Sequence, residues 1–254
     1  MARTRPLLPE WFHRLGSPKG FYQMTSSWMP WLAVTAAVLL LVGTVWGLGF
    51  APQDAKQGNS FRIIYIHVPA AFLALAGYYV MAAAGAIGLV WKMKLAHMVM
   101  KAAAPLGAAL TLISLVTGSL WGKPTWGTYW VWDARITSML VLFFLYLGVI
   151  ALHYAYTNGE AASKASAVLA LVGTANIPII YKSVDWWYTL HQPATIKLTQ
   201  APSMHPDMFY PLLVMIAGFY CFYALVLLLN TRSEILHRER RTRWVLDMAE
   251  GGRS

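Results

Sequence analysis

The sequence predicts an all-α membrane protein, a bundle of six transmembrane helices with both termini cytoplasmic, and three observations lead there. Of 254 residues, 58% are hydrophobic and only 12% charged, about half the charged share of a soluble domain. Six apolar stretches reach the length, on the order of 20 residues, that a helix needs to cross a hydrocarbon core. The basic residues gather on one side of those stretches, as topology-setting charges do.

The runs lie at 28–50, 63–91, 102–120, 136–155, 165–182 and 208–229. In lipid every backbone polar group must be satisfied within its own segment, so uninterrupted apolar runs of this length are helices. Alternating ten-residue strands, the mark of a membrane barrel, are absent. The first run begins near Trp28 after a basic polar lead and is long enough to remain as a span, so no cleavable signal peptide is expected. Small-residue spacings such as Ala84/Gly88 and Ala103/Gly107 let helices approach closely, which is ordinary bundle packing. Asn176 and Pro178 predict a kink in the fifth span.

Six spans put both termini on one side. One set of segments carries 14 of the 20 Lys and Arg residues: the two tails with the 92–101 and 156–164 connectors. The other set, 51–62, 119–135 and 183–207 together with Lys182 at its edge, carries 6. The richer set is therefore cytoplasmic. This divides the chain into a cytoplasmic segment at 1–27, a membrane domain at 28–230 that includes an outward loop at 119–138, and a basic cytoplasmic tail at 231–254. The formal charge of +10 is topogenic and surface-directed rather than a nucleic-acid footprint.

The outward loop is the informative one. Trp121, Trp126, Tyr129, Trp130 and Trp132 fall within twelve residues, interrupted by Gly122, Pro124 and Gly127. Trp and Tyr do anchor helix ends at membrane interfaces, and such a belt stays open as an alternative. A belt is spread over many helix ends, whereas one glycine- and proline-broken segment predicts a shaped, non-helical shelf. A shelf of that kind suits a flat apolar ligand such as a porphyrin, whose macrocycle would stack on indole faces. Its carboxylates would need cations, and Arg62 and Arg135 are outward-side arginines able to grip them bidentately. Asp133 orients Arg135 or caps the fourth span.

Of seven histidines, topology leaves His67, His191 and His205 on the outward half. His67 lies about four residues into the second span, roughly 6 Å deep at helical rise. His191 follows a second aromatic patch, Asp185-Trp186-Trp187-Tyr188. Two imidazoles from separate segments are suited to clamping haem iron from both faces, and satisfied polar residues at helix ends are the alternative. His205, before Pro206, is the reserve ligand.

Other chemistries lack their parts. Cys221, the single cysteine, sits in an apolar run, so there is no disulfide framework, CxxC pair or covalent haem motif. Zinc-hydrolase, nucleophile-elbow and phosphate-loop motifs are also absent. The chain has no ATPase of its own, and whether it acts as an enzyme stays open.

The segment Trp-Gly-Lys-Pro-Thr-Trp-Gly-Thr-Tyr-Trp-Val-Trp-Asp-Ala-Arg from Trp121, with 51–71 and 183–192, resembles the haem-handling membrane proteins that carry a tryptophan-rich WWD domain, the cytochrome c maturation protein C (CcmC) family. The resemblance covers nearly all six spans, and the tails at 1–27 and 231–254 match poorly. It implies His67 and His191 as axial ligands of a non-covalently held haem b. It implies an aromatic shelf of Trp121, Trp126, Trp130 and Trp132 closed by Asp133, with Arg62 and Arg135 at the propionates. It also implies a bacterial inner membrane, a periplasmic haem site and partners: the haem chaperone CcmE, the small subunit CcmD, and the ATP-binding transporter pair CcmA and CcmB. The chain would present haem for covalent attachment to the chaperone. Two other readings remain open, a permease for haem or another solute and a structural anchor.

Overall fold

The computed structural model describes residues 16–191 and 204–251. Of the residues assigned sides above, Arg3, Arg5, His13, Arg14, Lys197 and Arg253 lie outside the described residues. Among those described, six helical segments are long and apolar enough to cross a membrane. Among the described residues the secondary structure is helical apart from one isolated bridge between Asp54 and Gly58.

A short helix α1 (Pro18–Ser26) precedes α2 (Met29–Thr44), which ends in a wide turn at Val45–Phe50. A 3₁₀ turn at Asn59–Ile63 leads into α3 (Ile64–Trp91), followed by α4 (Lys94–Trp126) and α5 (Ala134–Ala155). The fifth span is split into α6 (Gly159–Gly173) and α7 (Asn176–Trp186). The long α8 (Pro206–Arg238) is the sixth span, and α9 (Arg243–Gly251) is the last element among the described residues. The break in the fifth span falls at Thr174 and Ala175, three to four residues before Pro178, which has no N–H for a continuous ladder. The Asn176 side chain donates to the Ser138 carbonyl at 2.8 Å, fastening the break to α5.

Helices α3 and α4 form the centre, with α5, α6 and α8 around them, while α2 packs chiefly on α8. The small-residue positions explain how closely they approach. A Cβ at Gly107 would collide with the ring of Tyr146, which is itself fully buried and donates its hydroxyl to the Ala74 carbonyl at 2.8 Å. At Gly88 a Cβ would meet the ring of His97. Leu73, Tyr78, Met81, Met100, Leu142 and Tyr146 make the core of this bundle. The outer face of α2 exposes Trp31, Val34, Val38 and Leu41, an apolar stripe that hydrocarbon rather than water solvates.

One expectation is corrected. The tryptophan-rich segment is not a non-helical shelf from its start, because α4 runs on through Trp126 and only residues 127–133 leave the helix. The cause is a strong end to the helix. Gly127 adopts φ +80 and returns its N–H to the Lys123 carbonyl, a left-handed terminus that glycine tolerates without cost. Lys123 Nζ donates back to the Gly127 carbonyl at 3.0 Å, and Thr125 Oγ1 donates to the Trp121 carbonyl at 2.7 Å. These bonds carry the helix past Pro124.

At the far end of the bundle, Arg232 of α8 donates to the Tyr22 carbonyl, Thr25 and Ser26 of α1 and lies 3.6 Å over the Tyr22 ring. Trp244 of α9 packs on the same tyrosine. Lys101 and Arg238 both pair with Glu234. The two ends of the described chain are thereby gathered on one face, opposite the tryptophans.

Candidate functional site

The first turn of α3 carries His67, the last turns of α4 carry Trp121 and Trp126, and the segment after α7 carries His191. All four line one cavity of about 720 Å³, within the usual range for ligand pockets of roughly 300–1,000 Å³. Trp130 and Arg135 line it as well. Its floor descends along a single face of α3 through Ala71, Leu75 and Tyr79, at the three- to four-residue spacing that puts side chains above one another.

His67 and His191 face each other across this space. Their ring centroids are 6.4 Å apart and their planes are inclined by 34°. Trp121 stands edge-on to His67 at 5.8 Å, and Trp126 lies 6.1 Å from His191. Each imidazole therefore has its own indole beside it. Trp121 is braced in turn by Phe61 and by Gln57, whose Oε1 accepts the indole N–H at 2.7 Å. Gln57 is held by a tight turn in which Asp54 Oδ1 accepts the N–H groups of Lys56 and Gln57 at 2.9 and 2.8 Å.

His67 is buried, and its Nδ1 lies 3.1 Å from Thr117 Oγ1 on α4. The His191 backbone N–H donates to Thr189 Oγ1 at 3.0 Å, and the Thr189 hydroxyl donates to Asp133 Oδ2. Asp133 Oδ1 accepts the Ile136 N–H at 2.8 Å and so caps α5, as a carboxylate at a helix N-terminus does.

Not every residue singled out in the sequence joins the cavity lining. Arg62 donates to the Ala51 carbonyl at 2.9 Å and lies outside the lining. Trp132 is 74% exposed and packs edge-on against Trp130 at 5.4 Å. Asp133 acts behind the wall rather than in it. His205 caps α8, its Nδ1 accepting the Asp207 N–H at 3.3 Å, with no part in the cavity. In exchange the structure adds Lys182, which lines the cavity and pairs with Asp185 at 3.0 Å. It also adds Thr117, Thr189 and Gln57 as supports. Thr189, two residues before His191, is the only one of these that a local turn motif in the sequence could have flagged.

The residues present fit an iron porphyrin. A metal–nitrogen bond of roughly 2 Å on each face plus a ring radius of about 1 Å puts two axial imidazoles about 6 Å apart, centroid to centroid. The 6.4 Å found here matches. Indole walls suit the macrocycle, and Arg135 and Lys182 suit its carboxylates.

Fold and site together define a class: multi-pass helical membrane proteins with a paired-histidine, tryptophan-walled cavity at one end of the bundle. The model of one family, heme exporter protein C (CcmC), matches residues 11–246. Proteins called heme exporter protein C are 51% identical in Escherichia coli (strain K12), over 93% of this chain and 95% of theirs, and 45% identical in Haemophilus influenzae, over 95% and 98%. One from Bradyrhizobium diazoefficiens is 46% identical over 90% of this chain and 86% of its own. The chain belongs to the heme exporter protein C family.

Proposed function

We propose that this chain holds haem b non-covalently at the periplasmic end of its helix bundle, in the bacterial inner membrane, and presents it to the chaperone CcmE during c-type cytochrome biogenesis. The observation that carries this reading is the 6.4 Å separation of His67 and His191 at a cavity walled by Trp121 and Trp126. The name its relatives bear, heme exporter protein C, supports the haem.

Each part of the site has a task. His67 and His191 would hold the iron through their ring nitrogens. Trp121, Trp126 and Trp130 exclude water and stack on the macrocycle. Arg135, with Lys182, holds the propionates and so fixes the rotation of the ring about its axis. When bound, haem supplies a vinyl edge for attachment to the chaperone, and the chain contributes position rather than acid–base or redox groups. Exposed aromatics beside the site, Tyr129, Trp132 and Tyr188, give the chaperone an apolar landing surface. CcmD and the ATP-binding pair CcmA and CcmB are the further partners, and energy from ATP comes from that pair.

Purification from haem-replete membranes tests the reading by absorption spectroscopy. The wild type is expected to show a sharp low-spin Soret band that His67→Ala and His191→Ala each abolish or broaden. A haem-free wild type would overturn it in favour of an anchor. Haem bound with both alanine variants unchanged would move the ligand elsewhere in the bundle and favour a permease.

A further inference from the structure

The side chains that fix the two histidines lie outside the tryptophan motif, and both are threonines. Thr117 Oγ1 donates its own proton to the Ile113 carbonyl at 2.6 Å, the back-bonding that a threonine in a helix interior adopts. A hydroxyl has one proton, so toward His67 Nδ1, 3.1 Å away, the Thr117 oxygen acts as acceptor. His67 then carries its ring proton on Nδ1 and keeps the Nε2 lone pair, the tautomer that a metal ligand needs when its other nitrogen is hydrogen-bonded. Gly118 adjoins the same face of the ring, where a Cβ would stand 3.0 Å from His67 Cε1. Helix α4 therefore sets both the proton position and the tilt of the imidazole.

Thr189 treats His191 differently. Its hydroxyl proton goes to Asp133 Oδ2 and its lone pair receives the His191 backbone N–H. The Asp133 carboxylate is itself immobilised on the first turn of α5 through Ile136. One hydroxyl thus ties a loop residue to a rigid helix end, and the closing residue of the tryptophan motif acts on the iron site through it.

Building on the haem reading, we propose that Thr117 and Thr189 are positioning residues, the first fixing the tautomer of His67 and the second fixing the backbone of His191, so that the two imidazoles meet one iron. Neither touches the haem. Side chains of this kind, bonded to a metal ligand, alter metal affinity by roughly 10- to 100-fold when removed.

The test compares Thr117→Val and Thr189→Val, which keep the shape and lose the hydroxyl, with Thr117→Ser and Thr189→Ser, which keep the hydroxyl. Two readouts use the full-length protein without haem. Carbon and nitrogen NMR of labelled histidine reports the His67 tautomer, expected as a single Nδ1–H form in wild type and Thr117→Ser and as a mixture in Thr117→Val. Carbethoxylation by diethyl pyrocarbonate, followed by mass spectrometry, reports exposure of His191, expected to quicken several-fold in Thr189→Val alone. A third readout uses added haem: each valine variant is expected to bind roughly tenfold more weakly, with part of the iron high-spin, and each serine variant as wild type does. Valine variants matching wild type in tautomer and reactivity would overturn the proposal, as would serine variants as impaired as the valines. If both haem-free differences appear and the wild type binds no haem, the haem reading fails while the positioning of the two imidazoles stands.

Discussion

Trp121 stands at 79° to the ring of His67, centroids 5.8 Å apart, and its indole N–H is held by Gln57 from the segment before α3. A loop that precedes the second span therefore steers a tryptophan at the end of the third. Losing the acceptor would strand a half-buried indole N–H, at a cost of about 1–3 kcal/mol. Gln57→Leu is expected to weaken haem binding severalfold in a spectroscopic titration while membrane insertion, read by protease protection, stays at the wild-type level.

The proposed task of Arg135 can be separated from its packing by altering the ligand. A charge-assisted hydrogen bond contributes about 1.5–3 kcal/mol, so Arg135→Ala is expected to weaken haem binding by at least about tenfold. With haem dimethyl ester, whose carboxylates are masked, the same substitution is expected to change affinity little. Equal losses with both ligands would assign Arg135 to the framework of the cavity.

The packing of α4 on α5 depends on the absence of a side chain at Gly107. The ring a Cβ would strike belongs to Tyr146, which is fully buried and hydrogen-bonded to the Ala74 carbonyl. Gly107→Ala is expected to destabilise the bundle by about 1–3 kcal/mol through overpacking, visible as a lower thermal midpoint in detergent. Tyr146→Phe in the same background is not expected to restore it, because the ring atoms nearest the glycine remain.

The proposed topology, with the tryptophan-rich end outward, rests on the distribution of basic residues. In a Cys221→Ser background, Tyr188→Cys is expected to react with a membrane-impermeant maleimide in intact spheroplasts. Arg241→Cys is expected to react only after permeabilisation. The reverse pattern would invert the orientation.

How much of this was written in the sequence depends on the range of the interaction. The six spans were legible because each is a local run of apolar residues, and their ends were missed where capping decided them. The apolar run marks the third span at 102–120, yet its helix starts earlier, at Lys94, and the cap at Gly127 carries it on to Trp126. The break near Pro178 was legible for the same local reason. His67 and His191 were singled out by sorting histidines by side. Their partners were not, since nothing in the composition distinguishes Thr117 from any threonine in a membrane helix until α3 is laid against α4. Arg62 shows the converse. Its side of the membrane marked it for the site, but its guanidinium bonds the Ala51 carbonyl instead of joining the cavity lining.

In the proposed site one iron is shared by two imidazoles from distant stretches of chain. Pulsed electron paramagnetic resonance on the oxidised, haem-loaded protein counts them directly, using nitrogen-15 histidine to resolve the hyperfine couplings. A low-spin signal with two equivalent histidine nitrogens, reduced to one in His67→Ala and in His191→Ala, is the expected result. A wild-type signal with one histidine nitrogen or none would rule out that shared ligation.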